Sequence, residues 1–377
     1  MSADHYYLLG RSGLRVSRIA LGTMTFGNGG IRGLGGSWGS DETAARAIFD
    51  RYLDCGGNFI DTADSYAAGM SETLVGKFVS EAAARDRVVI TTKFSNCLEP
   101  GNPNAGGNGR KNLMRAVDAS LRRLKTDYID LFLLHTWDRM TPVEEVMRSF
   151  DDLVRAGKIR YAGLSDVPGW YAARAQTWAE AHALTPLISL QLPYSLAERS
   201  MENEFVPLAQ ALGLGITAWS PLAMGLLSGK YHTGRQTPGR LALDASGNGL
   251  GFFTERNVRI VEVLKQVSTE IGRSMAQVAL NWVVARPGIG AAIIGASRIG
   301  QLDDNLSSLD FEIPEPLRKQ LDAASAVEPV YPYSLFADDY QAGILNAGAS
   351  VGDKPRSYYS ETFLPKVSDY VIGRPKS

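Results

Sequence analysis

At 377 residues the chain exceeds the usual single-domain length, though not the length of an α/β barrel that carries extensions. Its 39 basic residues are balanced by 40 acidic ones, which excludes a broad field for nucleic acid or an anionic membrane and confines any anion site to a local patch. Only Cys55 and Cys97 occur, without a CxxC pair, and the sequence has neither a signal-peptide pattern nor a run long enough to span a bilayer; this argues against a disulfide scaffold or a metal centre and for a cytoplasmic protein.

In chain order, residues 6–17 (YYLLGRSGLRVS) read as two short strands around a Ser-Gly turn, a hairpin able to plug the bottom of a barrel. Residues 18–24 (RIALGTM) form the first buried strand, and the glycine- and asparagine-rich residues 27–39 form a surface loop. An amphipathic helix over 41–55 closes on Gly56-Gly57. The second strand is 58–60, with Ser71 expected to cap the helix after it. The third is 87–93 (RVVITTK), followed by a long loop at 101–109 and a helix over 111–124. The fourth is 128–135 (YIDLFLLH). Thr141-Pro142-Val143-Glu144 then combines an N-cap, a first-turn proline and the glutamate of a capping box, and starts a helix that runs to about residue 156. Strands over 159–165, 187–192 and 215–220 alternate with helices over 171–183 and 203–212. The excursion 221–253 is long enough to be read as functional. Helices over 257–271 and 274–286 follow, the second opened by a Ser274–Gln277 capping box. The eighth strand, 291–294, leads through residues 295–298 into another helix, and 316–326 is the last.

Eight apolar strands alternating with helices predict a (β/α)8 barrel over residues 1–326. An open doubly wound sheet is the alternative, weakened because no GxGxxG follows the first strand. The tail, 327–377, either folds over the barrel mouth or is disordered.

A carboxylate at the end of a buried strand requires a cation, and Lys93, closing the next strand, is the candidate partner of Asp61. The strand after that ends on His135. In a parallel barrel these three strand ends lie side by side at one mouth. Tyr66 follows Asp61 closely; a phenol with a reference pKa of about 10 needs such an ammonium to stabilise its phenolate. The group can then donate a proton to a carbonyl oxygen, with His135 hydrogen-bonding that oxygen or joining the relay. Thr23 and Met24 end the first strand on the same side. Met24 and Trp137 add apolar surface suited to a bulky carbonyl, in a pocket shared with Tyr66 and His135.

The run GGNFIDTADSYAAG, with Lys93 and His135 on the next two strands, resembles the aldo-keto reductase superfamily, in particular its aryl-alcohol dehydrogenase-like and channel β-subunit-like members. The likeness extends from about Leu8 to about Ala326. It implies NAD(P)H-dependent carbonyl reduction on a (β/α)8 barrel, with Asp61, Tyr66, Lys93 and His135 as the catalytic tetrad and Tyr66 as the general acid. The histidine is present, unlike in the channel-associated β-subunits. The resemblance also assigns Ser165, Asp166 and Gln191 to the nicotinamide carboxamide, the family often having asparagine where this chain has Asp166. Trp219 stacks on the nicotinamide, and Ser220, Pro221, Leu222, Lys230 and Arg240 meet the pyrophosphate. Gly295, Ser297, Arg298, Gln301, Asp304 and Asn305 form the adenosine site, where a helix N-terminus favours an anion. Arg298 favours NADPH; NADH stays open.

The expected partner is a small carbonyl or alcohol, with no nucleic acid or membrane, and a homo-oligomer is compatible with the sequence. Two rivals stand beside the reductase: an NADPH-holding, redox-sensing subunit with little turnover, and a barrel lyase or hydrolase using Asp61 and His135. The substrate is set by the loops and is not identified.

Overall fold

The computed structural model describes residues 3–27, 39–231, 241, 251–344 and 349. Among these, eight parallel strands close a barrel: β3 (Ile19–Gly22), β4 (Phe59–Asp61), β5 (Val89–Phe94), β6 (Ile129–Leu134), β7 (Ile159–Ser165), β8 (Leu187–Pro193), β9 (Gly215–Trp219) and β10 (Ile289–Ile294). Each pairs with its sequence neighbours, and β10 returns to β3. Helices α1 (Glu42–Asp54), α2 (Met70–Glu81), α3 (Arg110–Leu124), α4 (Val143–Arg155), α5 (Gly169–Ala181) and α6 (Phe205–Leu212) connect successive strands. Two helices, α7 (Glu255–Ile271) and α8 (Met275–Val284), lie between β9 and β10, and α9 (Ile299–Leu306) and α10 (Glu315–Ala324) follow the barrel. The expected (β/α)8 architecture is the observed one.

Alternation along the strands positions the site. Phe59, Val89, Leu131, Leu133, Ala291 and Ile293 share the interior cluster, whereas Ile60, Ile90, Phe132 and Leu134 belong to the larger core between strands and helices. A strand's side chains alternate between faces, so Asp61, two residues beyond Phe59, and Lys93, four beyond Val89, face inward. Parity thus puts the polar groups above the apolar plug, at the C-terminal end where parallel barrels carry their sites.

The bottom is sealed by the hairpin β1 (Tyr6–Leu8) and β2 (Arg15–Ser17), whose Val16 joins the interior cluster together with Leu9. At Gly10 (φ +56°) an added Cβ would lie 2.3 Å from the Ile188 carbonyl and 2.8 Å from the Gly215 nitrogen. Glycine is what lets the hairpin close against the starts of β8 and β9.

Two predicted caps are corrected. Ser71 lies inside α2, whose N-cap is Gly69, and its hydroxyl donates to the Thr23 carbonyl at 2.7 Å. At α4 the N-cap is Pro142 and no box forms: Thr141 Oγ1 donates to Asp138 at 2.6 Å, and Glu144 pairs with Arg174. In both places another acceptor wins the hydroxyl from the helix end: a carbonyl 48 residues away for Ser71, and a carboxylate three residues upstream for Thr141. Asp41 and Ser274 do cap, accepting from the Ala44 and Gln277 amides.

The chain divides into two compact units, residues 1–327 and 328–377. The second holds a 3-10 turn, Tyr333–Phe336, and α11 (Asp338–Ile344). Residues 345–348 and 350–377 lie outside the described residues, and with them most of the tail read from sequence as either folded over the barrel mouth or disordered. No described helix is long and apolar enough to cross a membrane.

Candidate active site

The tetrad predicted from strand ends assembles around one buried ammonium. Lys93 is fully buried and Asp61 is 3 % exposed. Lys93 Nζ lies 2.7 Å from Asp61 Oδ2, 2.7 Å from the Thr62 carbonyl and 3.4 Å from Tyr66 Oη. Gln191 Nε2, from across the barrel, donates to Asp61 Oδ1 at 2.8 Å. Both carboxylate oxygens are thus held, which a charge in so dry a place requires. Burial works against the charge on Lys93, but Asp61 and the Tyr66 oxygen together hold its pKa above the usual lysine value.

Tyr66 opens a 3-10 turn (Tyr66–Gly69) in which Ala67 and Ala68 take left-handed backbone, φ 47° and 54°. That bend, which no sequence signal announces, swings the phenol back over the strand ends. Burial raises the pKa of Tyr66 above its ordinary value, and the Lys93 ammonium only partly opposes it. The phenol therefore rests protonated, where the sequence led us to expect a lowered pKa. A proton donor is what this state provides.

The His135 ring stands edge-on to Tyr66 with centroids 6.1 Å apart. Burial, followed by repulsion from Lys93, pushes its pKa down to about 3, so the imidazole is neutral. Asn96 Nδ2 approaches His135 Nδ1 at 3.4 Å and donates to Ser65 Oγ at 3.0 Å. With the amide nitrogen donating in this contact, the ring proton belongs on Nε2. The Ser95 hydroxyl accepts from the His135 amide at 3.1 Å. Sequence reasoning missed Ser95 and Asn96, although a polar pair directly after the strand that carries Lys93 falls at the same mouth.

Asp61, Tyr66 and His135 line a cleft of about 1110 Å³, with the Lys93 ammonium buried behind them. Met24, Leu98 and Pro100 give it apolar wall, and Ser165, Asp166, Gln191 and Trp219 line it above the strand ends. Asp166 has left-handed backbone (φ 46°), and its Oδ1 accepts from Trp219 Nε1 at 3.1 Å. Burial pushes its pKa up to about 6 against that hydrogen bond and the Lys93 charge. Ser220, Pro221, Leu222 and Lys230 continue the wall, with left-handed backbone at Ser220 (φ 51°). Gly295, Gln301, Asp304 and Asn305 line the other end.

Four described residues predicted for the cofactor or the pocket, Thr23, Trp137, Ser297 and Arg298, stand apart from this wall. Thr23 lies behind it, its hydroxyl donating to the Asp61 carbonyl at 3.0 Å. Trp137 packs against Trp170 and Tyr171, 5.5 and 6.2 Å between centroids, and does not line the cleft. Ser297 and Arg298 are exposed at the start of α9 beside the cleft; Ser297 donates to Gln301 Oε1 at 3.0 Å, and the Arg298 side chain has no partner among the described residues. Arg240 lies outside the described residues. Asp304 lines the cleft but is engaged by Ser274 and Gln277, 2.9 and 2.7 Å away, which ties α9 to the start of α8.

Known proteins share this chain's sequence over most of its length. The sequence profile of the Aldo/keto reductase family matches residues 18–326. The uncharacterized oxidoreductase YrpG of Bacillus subtilis is 38% identical over 330 residues, covering 84% of this chain and 94% of that protein. Norsolorinic acid reductase of Aspergillus flavus is 33% identical over 333 residues, 87% of this chain and 82% of its own length. The aryl-alcohol dehydrogenase [NADP(+)] of Phanerodontia chrysosporium is 30% identical over 365 residues, 93% of both chains. A profile that spans the whole barrel, with relatives aligned over most of their length, shows that the chain belongs to the aldo/keto reductase family.

Proposed function

We propose that the protein is an NADPH-dependent oxidoreductase that interconverts a bulky, aromatic aldehyde or ketone and its alcohol. The observation that carries the reading is the buried Lys93 bridging Asp61 and Tyr66, both of which line a large cleft. When bound, the reduced nicotinamide supplies the hydride that adds to a carbonyl carbon. Tyr66 donates its proton to the oxygen of the same carbonyl, and the ammonium of Lys93 steadies the phenolate left behind. Neutral His135, with its proton on Nε2, donates a hydrogen bond to that oxygen and orients it. Asp61 keeps Lys93 charged and in place.

The donor set fits the cofactor. Ser165, Asp166 and Gln191 would hold a carboxamide, and the face of Trp219 would stack on the ring. The backbone at residues 220–222 with Lys230 would meet the pyrophosphate. Gln301 and Asn305, one turn apart on α9, would bracket the adenine, and Arg298 is placed for a ribose phosphate at the helix start. Asp304 is the weakest of the assigned contacts, since its carboxylate already has partners. The apolar wall at Met24, Leu98 and Pro100 supports an aromatic substrate, and relatives named for norsolorinic acid and for aryl alcohols point the same way. The test is a panel of aryl and alkyl carbonyls with NADPH or NADH, and of the matching alcohols with the oxidised cofactors. Turnover without a dinucleotide would overturn the reading.

A further inference from the structure

The residue that sets this cleft apart is Asp166. Its left-handed backbone at the end of β7 carries the side chain across to β9, where Oδ1 accepts the Trp219 indole N–H at 3.1 Å. An asparagine carbonyl in that position would accept the same bond, so the negative charge is surplus to it. The other ionisable groups at this end of the cleft carry no net charge. Lys93 and Asp61 form a closed pair, His135 is neutral, and Tyr66 keeps its proton. Asp138 sits on the loop whose Trp137 amide donates to the Asp166 carbonyl, but it does not line the cleft and is engaged by Asn108, Met140 and Thr141. Lys230 and Asp304 line the stretches assigned to pyrophosphate and adenosine.

We propose that Asp166 tunes the cleft to the oxidation state of its cofactor: its carboxylate attracts the cationic oxidised nicotinamide and gains nothing from the neutral reduced ring. The inference rests on the reading that the cleft binds a nicotinamide dinucleotide. Its consequence is a protein that holds NADP+ more tightly, relative to NADPH, than it would with a neutral residue beside Trp219. This bias fills the cleft with NADP+ at lower concentrations, shifts the equilibrium between the bound cofactors toward carbonyl reduction, and makes NADP+ a stronger product inhibitor of that reduction.

The preference depends on pH with a defined sign. Burial lifts Asp166 to about 6, so the charge is present above that pH and lost below it. The ratio Kd(NADPH)/Kd(NADP+) therefore rises as pH increases through about 6. The ribose phosphate, with a second pKa of about 6, titrates in the same range but is common to both forms and cancels in the ratio.

The test measures both dissociation constants by quenching of tryptophan fluorescence, for the full-length protein and for Asp166→Asn, well below and well above pH 6. Above it, the wild-type ratio should exceed the variant's by at least about ten-fold, which is what one charge is worth out to about 12 Å at an effective dielectric of about 20. Below it, the two ratios should converge. Equal ratios in the two proteins at high pH, or a wild-type ratio flat across the titration, would overturn the inference while leaving the dinucleotide site intact. A wild-type protein that binds neither cofactor would instead remove the reading beneath it. If Asp166→Asn does not fold, the wild-type pH profile decides alone.

Discussion

Replacing Lys93 by methionine separates the structural from the chemical work of the ammonium. In the folded protein Lys93 Nζ has its shortest contacts, 2.7 Å, with Asp61 Oδ2 and the Thr62 carbonyl. Methionine fills much of the same space but leaves Asp61, 3 % exposed, with Gln191 Nε2 as its remaining side-chain partner. Breaking a buried pair from one side costs about 3–5 kcal/mol, because an uncompensated charge stays behind. A pair on the surface would cost no more than about 1 kcal/mol. Removing both charges, in Asp61→Asn with Lys93→Met, should recover most of the loss, since the orphaned carboxylate is gone. Urea unfolding read by fluorescence, with the slope unchanged among the proteins, measures Lys93→Met, Asp61→Asn alone, the double variant and the coupling between the sites. Carbonyl reduction should stay abolished in the double variant, because Tyr66 has still lost its neighbouring cation. A single variant that loses less than about 1 kcal/mol, or a double variant no more stable than the single, would refute the picture of a dry, closed pair.

Tyr66→Phe removes the proton donor alone: kcat should fall by about 10²–10⁴-fold with the NADPH dissociation constant nearly unchanged, and retained turnover would reject the role. Arg298→Ala should weaken NADPH by about 10- to 100-fold, the worth of one or two charge-assisted hydrogen bonds, and barely affect NADH; equal losses by titration would show that the guanidinium does not read the extra phosphate. Asp64, buried with Oδ1 unpartnered, has its pKa pushed up from 3.8 to about 8 by burial and then by Glu72. The folded state therefore holds a proton that the unfolded chain releases, and wild-type stability should fall as pH rises from 3.8 to about 8. Asp64→Asn should flatten that stretch of a denaturation series, and an unchanged slope would place the proton elsewhere.

The placement of individual residues shows where reading a sequence succeeds. Asp61, Lys93 and His135 were found because each closes an apolar strand, and in a parallel barrel consecutive strands are ring neighbours. Thr141 was misread because its local helix end competes with Asp138, a partner that the capping rule does not consider. Asp304 lines the cleft as expected, but its carboxylate also holds α9 to Ser274 and Gln277, which no spacing along the chain announces. Trp137 follows His135 in sequence but turns toward Trp170.

Sequence alone determined the barrel, the parity that turns Asp61 and Lys93 inward, and the order of the strand ends, because all three follow from local periodicity and chain order. Only the tertiary structure decided that Gln191, 130 residues away, holds the second oxygen of Asp61, that Asn96 meets the His135 ring at Nδ1, and that burial outweighs Lys93 in setting the acidity of Tyr66. Each of these depends on distances and desolvation that arise when remote segments close around one cleft, and no spacing along the chain encodes them.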